Sequence, residues 1–539
     1  LDVTRETARD GLKRASALKP DPFFTREAAA LIRTGGFDED LAGASDTDWI
    51  IEAVVERLDV KQSLFAQVEA VRGPGTIVSS NTSGIPIAAL AEGRSPSFRQ
   101  HFLGTHFFNP PRYLRLVEVI PLADTDPSVV ERIGRFVDVE LGKGVVVARD
   151  TPNFIANRIG IFGVVQTMRA LESGRWTIEE IDAITGPAIG RPKSATFRTM
   201  DIAGIDVLGH VLRNLADRLP GEAAAFATPR LVDDLLARGW TGEKAGQGAY
   251  RREGSEILTL DPATMTYRVR QAPRIDSLDA TKHLDVADRV RTLFNAPDTA
   301  GDLLRLTLAP TLLYAARLAP EIAYSIDDVD RALQWGFGWE LGPFELWDAI
   351  GIDAVLQAAP QAEVPPAIAE LRAAGRTRFR DGRVPPAGPG LQLLRSAKER
   401  SGVVRRNAAG SLVDLGDGVL CVELHSKMNA IGADTMQIVH AGLQEAATNF
   451  NALVLGTDAV NFSAGANLML VLVEAQQGNW DEIDLMVRTF QKASLGLRYS
   501  PVPVVVAPAG LALGGGCEFV LHGDRVQAAA ETYMGLVEV

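Results

Sequence analysis

Two blocks of this chain repeat. Thr177-Ile178-Glu179-Glu180-Ile181-Asp182 matches Ser325-Ile326-Asp327-Asp328-Val329-Asp330, and Asp201-Ile202-Ala203-Gly204-Ile205-Asp206 matches Asp348-Ala349-Ile350-Gly351-Ile352-Asp353, at offsets of 148 and 147 residues. Matched blocks at nearly one spacing predict a duplicated helical domain. In each copy a Thr or Ser followed by acids makes a helix start, because the hydroxyl can accept from a free backbone N–H. Around this core the pattern changes. Residues 1–150 alternate strand and helix, with a buried strand over Trp49–Glu56, a strand over 76–80 and helices near 5–18, 58–71 and 127–141, which predicts a largely parallel α/β sheet. The first helical copy falls in 151–252; an insertion and the second copy fill 253–375. Residues 376–408 are rich in Arg, Pro and Gly and read as a linker. Strand patterns resume at 419–424, 452–455 and 503–507, so 409–539 begins a second α/β unit. The expected fold class is α/β plus all-α.

The charge count, 55 basic against 68 acidic residues for a net −13, argues against nucleic-acid binding, which needs a basic face. The two cysteines, Cys421 and Cys517, have no metal or disulfide spacing, so no metal site is expected. No apolar run approaches the roughly 18 residues of a membrane helix, and no leader is visible, which makes a cytoplasmic enzyme the default expectation. Leu1-Asp2-Val3 reads as the tail of a strand and Val539 stops inside an apolar segment, so both ends are expected to be cut.

Thr105-His106-Phe107-Phe108-Asn109-Pro110-Pro111 precedes Leu114-Arg115-Leu116-Val117-Glu118-Val119-Ile120. If the two runs pair antiparallel about the Pro-Pro turn, His106 and Glu118 fall opposite one another on one face. A carboxylate beside an imidazole orients it and raises its basicity, which abstracting an alcohol proton requires. The pair alone is equally consistent with a structural histidine satisfied by its neighbour.

The chain resembles the 3-hydroxyacyl-CoA dehydrogenase family over residues 1 to about 375. The resemblance rests on Ser80-Asn81-Thr82-Ser83, on the His106 and Glu118 runs, on Asp150-Thr151-Pro152-Asn153-Phe154-Ile155-Ala156-Asn157-Arg158, and on Gly242-Glu243-Lys244-Ala245-Gly246-Gln247-Gly248-Ala249-Tyr250. It implies an NAD-binding Rossmann-like domain, His106 as general base and Glu118 as its partner. It also implies that Ser83 and Asn157 hold the 3-oxygen, where charge gathers during hydride transfer, and that Asn109 supports the histidine. Without the resemblance, Ser83 is a turn residue and Asn157 an amide on the second turn of a helix opening at Asp150-Thr151-Pro152. For NAD, the resemblance implies contacts from Asp2 at a strand end, from Ala53, Glu56 and Lys61 after the next strand, and from Ser83 and Asn109; alone, Lys61 is a solvated helix charge. The G-x-G-x-x-G loop expected about 20 residues ahead of Asp2 lies outside the chain, so an incomplete dinucleotide domain with weak or no NAD binding is expected. Asn153 stands where the family usually has Gly. The Arg191–Phe197 stretch marks the first helical copy as the active one, and Gly338–Phe344 in the second reads as packing.

Phe462-Ser463-Ala464-Gly465-Ala466-Asn467 and Gly510-Leu511-Ala512-Leu513-Gly514-Gly515-Gly516-Cys517-Glu518 resemble the crotonase superfamily, over a partial domain at 409–539. Thioester enolate chemistry needs two backbone N–H groups aimed at one oxygen. The resemblance assigns these to Ala466 and Gly515, with Glu518 and Glu538 as the acid/base pair of a hydratase. Two glycine turns and two surface glutamates are the plain alternative, and Asn467 stands where this family often has Asp. Together the halves imply a bifunctional β-oxidation enzyme acting on acyl-CoA thioesters, with NAD as cofactor, and by family a thiolase partner and a homo-oligomer. The competing readings are a dehydrogenase with an inactive, CoA-binding hydratase half, and a non-catalytic scaffold subunit.

Overall fold

The computed structural model describes residues 1–380 and 402–537 except 19–21, 24 and 530, together with 394, 397 and 398. Two compact units divide at 383/384.

The first unit is built on five strands, β1 (Trp49–Glu52), β2 (Ile77–Ser80), β3 (Phe102–Phe107), β4 (Leu116–Pro121) and β5 (Gly144–Val147), hydrogen-bonded in that order. All neighbours are parallel except β3 and β4, which run antiparallel about Pro110-Pro111. Every residue of β2 is buried, as expected of a strand covered on both faces. β1 departs from the expected buried run: it ends at Glu52, and Ile51 is 46% exposed, because β1 is an edge strand with one open side. The strand tail expected at residues 1–3 is a single parallel bridge from Asp2 to Gly36. Helix α1 (Leu58–Val71) follows β1 and sets Phe65 edge-on to Phe98 and Phe102.

Helix α2 (Ala156–Glu172) leads into the duplicated part. In the first copy, Thr177 caps α3 (Ile178–Thr185) through a capping box with Glu180. Asp182, midway along α3, accepts from the amides of Thr196 and Phe197, at the start of α4 (Phe197–Ala203). Asp201 on α4 accepts from the amides of Ala249 and Tyr250, and the Tyr250 hydroxyl returns to Asp182 at 2.7 Å. Helix α5 (Ile205–Arg218) completes the copy. An antiparallel sheet of β6 (Tyr250–Glu253), β7 (Glu256–Asp261) and β8 (Thr266–Val269) follows, in a stretch expected to be helical.

Past the long helix α6 (Thr299–Ile322), the second copy repeats the wiring. Ser325 caps α7 (Ile326–Phe337), and Asp330 accepts from Phe344 N at the start of α8 (Pro343–Ile350). Asp348 accepts from the amides of Phe379 and Arg380. Arg380 reaches back to Asp330 with its guanidinium, so Arg380 stands where the first copy has Tyr250. Helix α7 packs on the sheet: added side-chain carbons at Gly144, Gly160 and Gly336 would collide with Trp335, with Phe337 and with Leu116 respectively.

The second unit holds six strands in the order β15-β13-β12-β11-β10-β9: β9 (Val403–Arg406), β10 (Gly410–Gly416), β11 (Val419–Leu424), β12 (Ala452–Gly456), β13 (Val504–Val506) and β15 (Arg525–Val526). β11, β12, β13 and β15 pair in parallel. Strands β14 (Leu511–Leu513) and β16 (Tyr533–Gly535) form a separate parallel pair. Helices α9 (Ala433–Asn449) and α10 (Trp480–Arg498) share its core with Phe462, Phe519 and the strand interiors. Among the described residues no helix is long and apolar enough to cross a membrane, and no cluster of three or more His, Cys, Asp or Glu could hold a metal ion.

Candidate active site

The β3–β4 register sets His106 opposite Glu118. His106 Nδ1 lies 2.7 Å from Glu118 Oε2, and both side chains are buried. An ionised carboxylate only accepts, so Nδ1 carries the ring proton and Nε2 presents its lone pair. Ser83 Oγ lies 3.1 Å from Nε2. The rings of Phe108 and Phe154 flank the imidazole, with centroids 4.5 and 5.5 Å away.

The second Glu118 oxygen accepts from the amides of Ile155 and Ala156 at 3.1 and 2.9 Å. These open helix α2, so the carboxylate caps the helix that carries Asn157 while it orients the histidine. Asn157 therefore stands in the first turn, not the expected second. The helix starts late because Asn153 and Phe154 both take positive φ, 59° and 50°. Asparagine tolerates that region better than most side chains, which reconciles Asn153 with a position where glycine is usual.

Ser83 is held by Glu56. Its carboxylate accepts from Ser83 N and Gly84 N at 3.1 and 3.0 Å and from the Thr82 hydroxyl. Burial opposes ionisation of Glu56, but Thr82, the Lys61 ammonium and the two amides outweigh it and hold its pKa below the ordinary value. Asn81 Oδ1 accepts from Phe107 N at 2.9 Å and ties the same turn to β3.

Three expectations change. Lys61 is neither a solvated charge nor open to a cofactor: it is 1% exposed, and its ammonium lies 2.7 Å from Glu52, 3.1 Å from Val54 O and 3.4 Å from Glu56. The burial follows from Glu52, nine residues upstream on β1, whose other oxygen accepts from Ser80 Oγ at 2.6 Å; sequence reading missed Glu52. Asn109 does not reach the imidazole, whose nitrogens face Glu118 and Ser83; it lies exposed beyond β3. Asp2 is half-buried on its lone bridge, and its carboxylate accepts from Val3 N at 2.7 Å. Ala53 is exposed just past the end of β1, and Glu56 is half-buried and bonded to the turn that carries Ser83.

In the second unit Ala466 bridges Ile431 in parallel. Ile431 N donates to Gly465 O and Asn467 N to Ile431 O, so the Ala466 amide points away from that bridge. Gly515 opens helix α11 (Gly515–Leu521), and its amide has no acceptor within the helix. The two loops adjoin: a carbon added to Gly465 would lie 3.8 Å from Gly514 Cα. Glu518 sits half-buried in the first turn of α11; Glu538 lies outside the described residues.

Both units match families of known proteins. Residues 1–151 match the family model for the NAD binding domain of 3-hydroxyacyl-CoA dehydrogenase, and 154–252 with 304–383 match its C-terminal domain. Residues 414–539 match enoyl-CoA hydratase/isomerase. A Bacillus subtilis (strain 168) protein named "Probable 3-hydroxyacyl-CoA dehydrogenase" is 45% identical over 100% of this chain and 70% of its own length. A Rickettsia felis protein named "Putative fatty acid oxidation complex trifunctional enzyme" is 27% identical over 99% of this chain and 72% of its own length. The crystal structure of 3-hydroxybutyryl-CoA dehydrogenase from Escherichia coli shares the fold over 69% of this chain and 90% of that one, with a TM-score of 0.51 at 23% identity. The chain belongs to the 3-hydroxyacyl-CoA dehydrogenase family, with an enoyl-CoA hydratase/isomerase domain in the same polypeptide.

Proposed function

We propose that the first unit oxidises (3S)-3-hydroxyacyl-CoA to 3-oxoacyl-CoA with NAD, and that the second hydrates a trans-2-enoyl-CoA to supply it, consecutive steps of fatty-acid β-oxidation. The observation that carries this is His106 held between Glu118 and Ser83. NAD, held beside Ala53, Glu56 and the Ser83 turn, would supply the hydride acceptor for C3. His106 Nε2 accepts the 3-hydroxyl proton, and Glu118 stabilises the imidazolium that forms. Ser83 and Asn157 donate to the 3-oxygen as it gains carbonyl character. Glu56 keeps the Ser83 turn in place, and Lys61 with Glu52 anchors Glu56. In the second unit, the amides of Ala466 and Gly515 receive the thioester oxygen and Glu518, with Glu538, moves the protons of water addition.

The domain division at 150/151, 252/253, 375/376 and 408/409 is part of this reading. So are a thiolase partner, self-association of the chain, and a cytoplasmic location.

The test is NADH absorbance with acetoacetyl-CoA, comparing the chain with His106→Gln. A loss of at least about a hundredfold, the range of a general acid/base, supports the reading. Equal rates remove His106 as the base, and no rate in either favours the scaffold alternative.

A further inference from the structure

Asn214 lies on α5, in the first helical copy, 131 residues along the chain from Ser83. Its amide is pressed against the catalytic turn. A carbon added to Gly84 would lie 2.7 Å from Asn214 Oδ1, 3.2 Å from Cγ and 3.4 Å from Nδ2. Gly84 is thus glycine because the asparagine occupies the space a side chain would need. Oδ1 is buried, and it accepts no hydrogen bond among the described residues. An unmet buried carbonyl is costly, and here the cost is placed beside the serine that touches His106 Nε2.

We propose that Asn214 Oδ1 is the acceptor for the first amide N–H of the thioester arm of the substrate, and so selects carrier-linked over simple thioesters. The inference rests on the dehydrogenase reading of the His106 site. Consecutive Cα atoms are about 3.8 Å apart, so Oδ1 lies roughly 8 Å or less from Ser83 Cα. With the 3-oxygen at Ser83, C3 is separated from the cysteamine nitrogen by six bonds, C3–C2–C1–S–C–C–N, a span of the same order. Glu56 takes the Ser83 and Gly84 amides, so the turn offers neither of them to Asn214 Oδ1, which has no partner among the described residues. One competing donor shares this chemistry, the carboxamide of the nicotinamide ring, and the experiment separates the two.

The readout is equilibrium binding by calorimetry, which does not require turnover. The probes are S-acetoacetyl-N-acetylcysteamine, which carries the N–H, S-ethyl acetothioacetate, which lacks it, and NADH. The expected result is that the unsubstituted chain binds the first probe about tenfold more tightly than the second, the order of one hydrogen bond. Asn214→Ala abolishes that preference and leaves NADH binding unchanged, while Asn214→Asp, which keeps an acceptor oxygen, preserves it within about threefold. Equal binding of the two thioesters by the unsubstituted chain overturns the proposal without any variant. A preference that survives Asn214→Ala, or a loss confined to NADH, also overturns it. Discrimination in the absence of acetoacetyl-CoA reduction would leave this assignment standing and remove the dehydrogenase reading instead.

Discussion

Glu118 and His106 meet at 2.7 Å through Oε2 and Nδ1, and the same carboxylate anchors the backbone that presents Asn157. One residue thereby sets both the tautomer of the base and the start of helix α2. Two amide bonds and one imidazole bond engage both carboxylate oxygens, each strengthened by the charge.

Glu118→Gln cannot satisfy both sides. If its amide oxygen faces Ile155 and Ala156, its NH2 faces Nδ1 and forces the proton onto Nε2, where the base needs a lone pair. If the oxygen faces His106, the NH2 meets two N–H groups. We expect kcat to fall by about 10²- to 10⁴-fold and stability to fall by about 1–3 kcal/mol. NADH absorbance and urea unfolding measure the two. A kcat within threefold of the unsubstituted chain would remove Glu118 from the proposed mechanism.

The Ser83 turn gives an acid-side signature. Glu56 has its pKa depressed on folding, although its own burial works against this, because Thr82, Lys61 and two amides favour the carboxylate. A depressed folded pKa contributes stability above the unfolded value and loses it as pH falls through the folded one. Glu56→Gln should therefore flatten the acid limb of the stability curve below about pH 4.5, and raise KM and lower kcat by at least about tenfold, since a misplaced Ser83 costs a hydrogen bond to the reacting oxygen. Unchanged unfolding between pH 3 and 5 would count against this.

The duplicated helical domain makes the opposite prediction. Burial raises the Asp182 pKa to about 6, against the hydrogen bonds from Phe197, Tyr250 and Thr196. A raised folded pKa contributes stability below the unfolded value that is lost as pH rises, here from about 4 to about 6. Asp182→Asn should remove that slope at small cost, because its oxygen still caps α4 and its NH2 can donate to the Tyr250 oxygen. Burial raises the Asp201 pKa to about 6 as well, so Asp201→Asn should remove a slope over the same range, but it should also cost about 1–3 kcal/mol above that range, because both Asp201 oxygens accept from amides, Ala249 N and Tyr250 N, and an NH2 cannot. Thermal unfolding from pH 4 to 8 separates the two variants; equal losses in both would refute the assignment.

The contrast shows what was legible. The pairing of His106 with Glu118 followed from two strand runs about one turn, and the duplication of the helices that carry Asp182 and Asp330 followed from the offset of the repeat. Contacts between distant segments were not legible. Ser83 meets His106 only because β2 and β3 pair in parallel, and Asn214 meets Gly84 across well over a hundred residues. Lys61 read as a surface charge because its partner Glu52 looked like a strand residue. Asn157 moved by a turn because two non-glycine residues take positive φ, for which the sequence carries no strong marker. The β6–β7 hairpin did carry one: Gly254-Ser255 is a two-residue turn of the kind that joins antiparallel strands, but the polar Tyr250–Glu253 run hid the alternation.

The hydratase half can be tested by glycine substitution in its own unit. Gly465 has φ 87°, and an added methyl would lie 3.0 Å from Leu513 O. Gly465→Ala therefore carries both backbone strain, about 1–2 kcal/mol for a left-handed alanine, and a push that displaces the Ala466 amide from its neighbour loop. Gly478 supplies the control: its φ is 75°, and a methyl there would meet nothing within 4 Å. Gly478→Ala carries the strain alone. With crotonyl-CoA as substrate, we expect Gly465→Ala to lose at least about tenfold in hydration, in line with loss of an oxyanion donor, and Gly478→Ala to lose less than twofold. Acetoacetyl-CoA reduction should be unchanged in both, because the two glycines belong to the second unit and His106 to the first. Matching hydration losses in the two variants would trace the effect to stability, and Ala466 would then have no claim as an oxyanion donor.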